Sequence, residues 1–410
     1  MIDSSPSTAY GLPGAPPAER AARIPRTIGY YTAFIALGLA SASLGPTILG
    51  LAEQTQSRLA EISSLFVARS LGYLAGSLLG GRLYDRTAGH PVMATGLLLM
   101  AGMLALAPLV PGLWMLIATI LVLGLAEGAL DVGGNTLLVW VHREKVAPFM
   151  NGLHFFFGVG AFLSPLIIAQ VMLRGGGILQ AYWVLAILLL PGTLWLLRLS
   201  SPVIPTRGAA DGSTGRPNGR LVALVVVFFF LYTGAEVAFG GWIYSYAVAL
   251  RLSSDAAAAY LTSAFWGAVT AGRLLAIPLS VRFPPRSLMV ADFIGVLISL
   301  GVLILGSNSL AATWVGTCGV GLFMASIFPA ALSLAQERMT ITGQITGWFF
   351  VGASAGGMLL PWLIGQFFES VGPWVTMVIL LVDLVAALGV LAVLAFRFAR
   401  PVYQRITDRR

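Results

Sequence analysis

Few acidic residues lie inside the apolar stretches of this chain, and two of them are one helical turn apart. Asp131 follows Glu127 by four residues, and Asn135 follows Asp131 by four more. This spacing places all three side chains on one face of an α-helix. Two neighbouring carboxyl groups resist double ionisation, so the pair could carry a proton, or both could bind a sodium ion. The pattern predicts an ion-coupling site.

Arg69, near the middle of an earlier apolar stretch, is the natural counter-ion of these carboxyl groups. Charges within a bilayer are costly unless they meet a partner or face a cavity, so each is a functional candidate. Two interpretations stay open for Arg69: a structural bridge to a carboxyl group, or a member of the coupling site. Because two acids need more than one arginine, Asp131 is expected to do more than pair with Arg69.

A second cluster begins at Glu236 and continues through a Gly-Gly pair to Trp242 and Tyr246. Aromatic faces stack on the apolar faces of sugar rings, while carboxyl and amide groups bind sugar hydroxyls. The residues expected to contact a solute are Glu236, Trp242, Asn135, His154 and Tyr246. Tyr246 could equally belong to an interfacial aromatic belt, and His154 could be a packed contact between helices.

Three further charged residues lie within apolar runs. Asp292 is expected to be structural, in the first turn of its helix, where a carboxylate is favourable. Asp383 could pair with Arg273 or face a crevice, and the sequence does not decide between these roles.

No phosphate-binding loop, ATP-binding cassette or zinc motif occurs in the sequence, and Cys318 is its single cysteine. A disulfide within the chain is therefore impossible, and no cofactor or metal site is predicted. Ser–His and metal–His constellations are also missing, so an enzyme is not expected. Any process that this protein drives would therefore take its energy from a proton or sodium gradient, or from the gradient of a bound solute.

The elements that position these residues are expected to be transmembrane helices. The chain has 410 residues, of which 58% are hydrophobic and 10% are charged, too few polar groups to cover a soluble fold. At about 30–35 residues for each span with its loop, the length predicts about twelve helices. The apolar runs lie at 27–51, 60–83, 91–110, 113–140, 147–172, 178–199, 220–249, 256–281, 286–306, 309–334, 342–367 and 373–397. We predict an all-α membrane protein with twelve transmembrane helices.

Composition divides the chain into halves and tails. Residues 1–26, rich in Pro, Ala and Ser, are typical of a disordered cytoplasmic tail, and residues 398–410 form another. Residues 200–219, rich in Gly, Ser, Pro and Arg, are typical of a flexible cytoplasmic linker. This linker would join six-helix bundles at 27–199 and 220–397.

The two halves repeat each other at a constant offset of 196 residues. Because six spans separate the copies, both halves keep the same orientation, as two parallel six-helix repeats. Matching positions include Gly38 with Gly234, Gly45 with Gly241, Arg86 with Arg282, and Pro165 with Pro361.

The basic residues predict the orientation in the membrane. With the N-terminus inside, nineteen of the 24 lysines and arginines fall on the cytoplasmic side, three on the outer side and two within spans. Both termini are therefore predicted to be cytoplasmic, in the inner (plasma) membrane of a bacterium. The net charge of +8 is spread over loops and tails without a basic soluble face, so no nucleic-acid partner is expected. The expected partners are the bilayer and a small-molecule substrate, with the chain as a monomer.

Residues 81–90 read Gly-Arg-Leu-Tyr-Asp-Arg-Thr-Ala-Gly-His and resemble the signature between spans 2 and 3 of the major facilitator superfamily. In that family the Asp and Arg of the signature belong to a charge network that latches the two halves on the cytoplasmic side. The resemblance implies this gating role for Asp85 and Arg86. His90 stands where the family has a basic residue.

Longer blocks resemble the fucose–galactose–hexuronate porter family, most closely its sodium-dependent glucose transporter-like branch. They are the stretch with Asp131 and Asn135, and residues 151–161, 232–242 and 326–329. The resemblance implies a proton site at Asp131 and a cavity lined by spans 1, 4, 7 and 10. Proton-coupled fucose symporters of this family also have an acid in span 1, and this chain has none there.

These observations predict a secondary active transporter that moves a small neutral solute, first of all a monosaccharide, in symport with a proton or sodium ion. The two bundles would rock around a central site by alternating access. The alternatives are an exporter of hydrophobic drugs or lipids and a non-transporting membrane sensor on the same fold. The substrate, the ion and the direction of transport stay open.

Overall fold

The computed structural model describes residues 17–202, 219–252, 254–339 and 343–397, and regular structure within them is helical throughout. The predicted linker and tails lie mostly outside these ranges. The α-helices are α1 (Pro17–Ser41), α2 (Leu44–Gln54), α3 (Leu59–Ile62), α4 (Ser64–Tyr84), α5 (Gly89–Leu106), α6 (Leu113–His142), α7 (Ala147–Leu173), α8 (Ile178–Leu197), α9 (Gly219–Ala249), α10 (Asp255–Arg282), α11 (Pro285–Leu305), α12 (Leu310–Met324), α13 (Ile327–Gln336), α14 (Gly343–Val371) and α15 (Val375–Arg397).

Eleven helical segments of the described chain are long and apolar enough to cross a membrane, counting α3 with α4 and α12 with α13. The helices α1 and α2, bent by 46° at a short break, form a twelfth span when taken together. The predicted fold class, an all-α membrane protein with twelve spans, is confirmed.

The first helix starts earlier than predicted. Residues 17–26, assigned from composition to a disordered tail, are helical and continue into the first span. Ala, Glu and Arg are strong helix formers, and proline is favourable in the first turn because its missing N–H would have no partner there. The average composition of residues 1–26 therefore concealed a helical segment at its end.

The two halves, α1–α8 and α9–α15, pack in equivalent ways. In the first half α4 packs on α6, α1 on α7 and α5 on α8. The second half repeats these pairs six spans later, as α10 on α12, α9 on α14 and α11 on α15. The two parallel six-helix repeats seen in the sequence are therefore present in the fold.

We call the side of the bundle where α8 ends and α9 begins the linker face, and the other side the opposite face. The halves meet through α7 on α10 and α4 on α14. Gly158 approaches Thr270, and closer to the opposite face Gln170 donates a hydrogen bond of 2.5 Å to the hydroxyl of Tyr260. The helix α2 also packs on α9 there. The contacts between halves thus extend from the middle of the spans to the opposite face.

A set of hydrogen bonds joins the halves at the edge of the opposite face, between α3 and the end of α14. Glu369 accepts one from the backbone N–H of Leu59, at 2.9 Å. Gln366 donates to the carbonyl of Ala60 at 2.8 Å and to Oγ of Ser63 at 3.2 Å. We call these five residues the opposite-face clasp.

The substitution Gly365→Ala should weaken this clasp. A Cβ at position 365 would lie 2.3 Å from the Cβ of Ser63, so the halves must separate there to make room. In a Cys318→Ala background, we expect a cysteine at Ala60 to react several-fold faster with a water-soluble maleimide than it does without Gly365→Ala. The matched control is Gly389→Ala, because nothing lies within 4 Å of a Cβ at that position. Equal labelling in both variants would mean that the clasp does not close this face.

Candidate functional site

The close packing of α4 on α6 positions the polar residues of the first half. At Gly124 a Cβ would lie 2.1 Å from the carbonyl oxygen of Arg69, and at Gly128 2.0 Å from that of Tyr73. Glycine on α6 therefore allows a backbone contact that any side chain would prevent. As a result, the side chain of Arg69 reaches α6, and so does that of Tyr73 one turn further along α4.

Arg69 forms a two-pronged ion pair with Glu127. Its Nε donates to Oε2 at 2.8 Å and its Nη2 to Oε1 at 3.1 Å, and Glu127 is fully buried. Nη1 of Arg69 donates to the carbonyl of Ser41 at 2.8 Å, at the bend between α1 and α2. One side chain thus joins spans 1, 2 and 4. This geometry favours the structural interpretation of Arg69 and Glu127.

Asp131 has neutral partners instead. The hydroxyl of Tyr73 donates to Oδ2 at 2.5 Å, and Nδ2 of Asn135 donates to Oδ1 at 3.0 Å and to the backbone carbonyl of Asp131 at 2.9 Å. In the described part of the chain, the ion pair of Arg69 is with Glu127 and not with Asp131. Asp131 is partly exposed, and the salt bridges of the two membrane arginines in the described chain do not include it.

Sequence reasoning missed Tyr73, although the register of the two helices contains a signal for it. Tyr73 follows Arg69 by four residues, as Asp131 follows Glu127. Two helices packed side by side place residues with equal spacing in successive layers. Once Arg69 is paired with Glu127, the next layer brings Tyr73 to Asp131.

Charged residues of the second half pair differently from the sequence hypothesis. Nη2 of Arg273 lies 3.6 Å from Oε1 of Glu236, so Arg273 is adjacent to Glu236 rather than paired with Asp383. Asp383 is 6% exposed, and its Oδ2 has no hydrogen-bond partner within the described residues. Asp292 lies in the third turn of α11, not the first, and accepts a hydrogen bond from Ser326 between α12 and α13.

Trp242 and Tyr246 are enclosed by neighbouring helices in this conformation. Trp242 is fully buried, stacks on Phe368 at 5.0 Å between ring centroids, and donates from Nε1 to the carbonyl of Pro361 at 2.9 Å. Tyr246 is 1% exposed, with its hydroxyl 3.5 Å from the carbonyl of Leu303. Both rings are covered by neighbouring helices, so neither is accessible to a solute in this conformation.

Of the remaining predicted site residues, one lies within a span and two lie at the linker face. His154 is exposed on α7, with its ring edge-to-face with Phe34 of α1 at 6.1 Å. Asp85 and Arg86 lie in the exposed turn between α4 and α5 at the linker face.

His90 joins helices within the first half. Its Nδ1 lies 3.0 Å from the carbonyl of Leu199, so Nδ1 carries the proton, and Nε2 accepts from the hydroxyl of Tyr30 at 2.9 Å. The ring is fully buried and ties α1 to the start of α5 and the segment after α8. Among the described residues, no group of three or more His, Cys, Asp or Glu could hold a metal ion.

Comparison with known proteins identifies the class to which this architecture belongs. Residues 30–361 match the model of the Major Facilitator Superfamily, and the chain belongs to that family. Its members are membrane transporters and not enzymes, so the fold class and the absence of enzymatic activity follow from membership.

Curated relatives cover most of the chain. It is 33% identical over 356 residues to sodium-dependent glucose transporter 1 of Xenopus laevis, covering 80% of this chain and 72% of that protein. It is 32% identical over 376 residues to the protein of that name from Homo sapiens, covering 81% and 71%. Major facilitator superfamily domain-containing protein 4A of Danio rerio is 30% identical over 436 residues, covering 84% and 83%. The branch expected from the sequence blocks is therefore confirmed.

A solved structure agrees with the architecture. A mutant of the nucleoside transporter NupG superposes with a TM-score of 0.71 over 92% of this chain and 98% of that chain. The sequences are 15% identical, so this likeness shows the fold alone.

The two acids of α6 should differ in their contributions to stability. Arg69→Gln leaves the buried carboxylate of Glu127 without its counter-ion, for which we expect a loss of about 3–5 kcal/mol in the free energy of unfolding. Asp131→Asn retains neutral hydrogen-bond partners and should lose about 1 kcal/mol. Unfolding of the detergent-solubilised protein measures both, with Arg174→Gln, at an exposed helix end, as the control. Equal losses at Arg69 and Asp131 would contradict the structural role of the ion pair.

Proposed function

We propose that this protein is a secondary active transporter that moves a small neutral solute, first of all a monosaccharide, together with a proton or a sodium ion. The observation that carries the proposal is the environment of Asp131, a partly exposed carboxyl group inside a span, held by Tyr73 and Asn135. Both partners are neutral, so the binding of a proton or a sodium ion to Asp131 requires no salt bridge to break. The names of the sodium-dependent glucose transporters support sugar and sodium as first choices for testing.

The charges near the middle of the spans support an uncharged solute. Arg69 is compensated by Glu127, and Arg273 lies against Glu236. With an ion on Asp131, these five groups are neutral together, and an uncharged solute leaves that balance undisturbed. The proposed polar contacts to the solute are Glu236 and His154, with Asn135 beside the ion.

The direction of the cycle depends on the orientation proposed from the basic residues. With the linker face in the cytoplasm of a bacterial cell, the opposite-face clasp separates the site from the outside. With that face closed, the solute would leave the site through the linker face, into the cell. The clasp lies at the edge of the bundle, where water replaces its hydrogen bonds, so opening it requires little free energy. The proposed functional unit is a monomer.

The function is tested by uptake into proteoliposomes. A panel of radiolabelled monosaccharides is offered under a proton gradient, a sodium gradient, or neither. We expect at least one sugar to accumulate with one of the two gradients and to equilibrate without it. Absence of accumulation for the whole panel, with accumulation of a hydrophobic drug or lipid, would replace this proposal by the exporter.

Asp131→Asn should separate coupling from solute movement. The amide keeps the shape of the carboxyl group and most of its hydrogen bonds but cannot be ionised. We expect gradient-driven accumulation to be abolished, while exchange of labelled for unlabelled solute across the membrane continues near the parent rate. Exchange continues because rocking and solute binding remain and no net ion movement is needed.

The control for this experiment is Asp255→Asn, which changes an exposed acid in the first turn of α10. This variant should accumulate solute as the parent does. Normal accumulation by Asp131→Asn would exclude Asp131 as the coupling residue. Loss of exchange together with accumulation would show a structural role for Asp131 instead.

A further inference from the structure

Polar side chains of both halves lie one helical turn from a close contact between α7 and α10. These helices run antiparallel, and a Cβ at Gly158 would lie 2.4 Å from Oγ1 of Thr270. His154 precedes Gly158 by four residues, and Arg273 follows Thr270 by three. Both therefore lie one turn closer to the linker face, on the sides of α7 and α10 that face each other.

Glu236 of α9 completes this group, and its contact with Arg273 is loose. The separation of 3.6 Å is beyond ordinary hydrogen-bond length, and Oε1 of Glu236 has no hydrogen-bond partner within the described residues. The side chains of Arg273 and Glu236 are 28% and 12% exposed. In the Arg69–Glu127 pair the glutamate is fully covered and both contacts are hydrogen bonds. Arg273 and Glu236 therefore retain hydrogen-bonding capacity that a structural pair would use.

We infer that Arg273, Glu236 and His154 form a hydroxyl-binding subsite that spans the two halves and recognises two adjacent hydroxyl groups of the solute. This inference rests on the proposed transport of a monosaccharide and adds Arg273 as a residue that determines specificity.

The chemistry of the three groups matches a pair of neighbouring hydroxyls. The guanidinium group of Arg273 presents two parallel N–H donors that match two adjacent oxygen atoms. Each hydroxyl can also donate a hydrogen bond, and the carboxylate of Glu236 can accept it. A neutral His154 offers one donor and one acceptor from the other half. A solute bound here contacts both halves, so its binding favours their approach at this level.

The test combines changes in the protein with changes in the ligand. Binding of D-glucose, D-galactose and L-fucose, and of the singly deoxygenated derivatives of the best ligand, is measured on the purified full chain. In the parent, removal of either of two adjacent hydroxyls should weaken binding by about 10- to 100-fold. The unmodified sugar should bind to Arg273→Gln about as weakly as those derivatives bind to the parent. The derivatives should bind to this variant only slightly more weakly than they bind to the parent. Arg174→Gln, at an exposed helix end, should retain the pattern of the parent.

If Arg273→Gln fails to fold, the same measurement is made on Arg273→Lys and on His154→Gln. Lysine retains the positive charge of arginine but lacks its two parallel N–H donors. A merely structural Arg273–Glu236 pair would lower the melting temperature and weaken all ligands by one common factor, which would overturn the inference. Failure of the parent to bind any of these sugars would overturn it together with the sugar proposal. A third outcome separates the two proposals. If binding shows the hydroxyl-specific losses but no sugar accumulates in proteoliposomes, the subsite is supported and the proposed symport is refuted.

Discussion

A guanidinium group inside an apolar helical bundle needs acceptors for its N–H donors, and Arg69 finds them on two other spans. The carboxylate of Glu127 and the carbonyl of Ser41 together bind three nitrogens of its side chain. This arrangement requires the glycine contacts between α4 and α6, since any side chain at Gly124 would separate the helices. Because Arg69 and Glu127 pair with each other, the carboxyl group of Asp131 forms its hydrogen bonds with neutral side chains. The environment of the candidate coupling residue is therefore a consequence of the ion pair one turn away.

Polar side chains of neighbouring spans form hydrogen bonds at the breaks in two spans. A broken helix leaves backbone groups without partners, which is costly away from water. In the first half Arg69 binds the carbonyl of Ser41 at the bend between α1 and α2. In the second half Asp292 accepts a hydrogen bond from the side-chain hydroxyl of Ser326, which links α11 to the break between α12 and α13 but binds no backbone group there. The repeats thus share helix packing but use different charges, with an arginine at one break and a carboxyl group at the other.

The contacts between the halves are of two kinds, with different consequences for motion. Near the middle of the spans, glycine and threonine allow α7 and α10 to approach closely, which provides a contact about which the halves can tilt. At the opposite face, Gln366 and Glu369 hold α3 through hydrogen bonds near water. Bonds of this kind contribute about 0.5–1.5 kcal/mol each, so a modest difference in free energy between two conformations would be enough to break them. Buried apolar packing in the same place would resist separation of the halves.

The sequence by itself determined the twelve spans, the parallel repeats and the family, because hydropathy and helical spacing are local properties. It did not decide which acid pairs with Arg69, that Tyr73 reaches Asp131, or that Arg273 lies beside Glu236 rather than Asp383. It also placed Trp242 and Tyr246 at the solute, whereas both are enclosed by packing in this conformation. These outcomes depend on the rotation of each helix about its axis and on its depth against its neighbours. Backbone contacts such as Gly124 on Arg69 set both, and they exist only once the helices are packed.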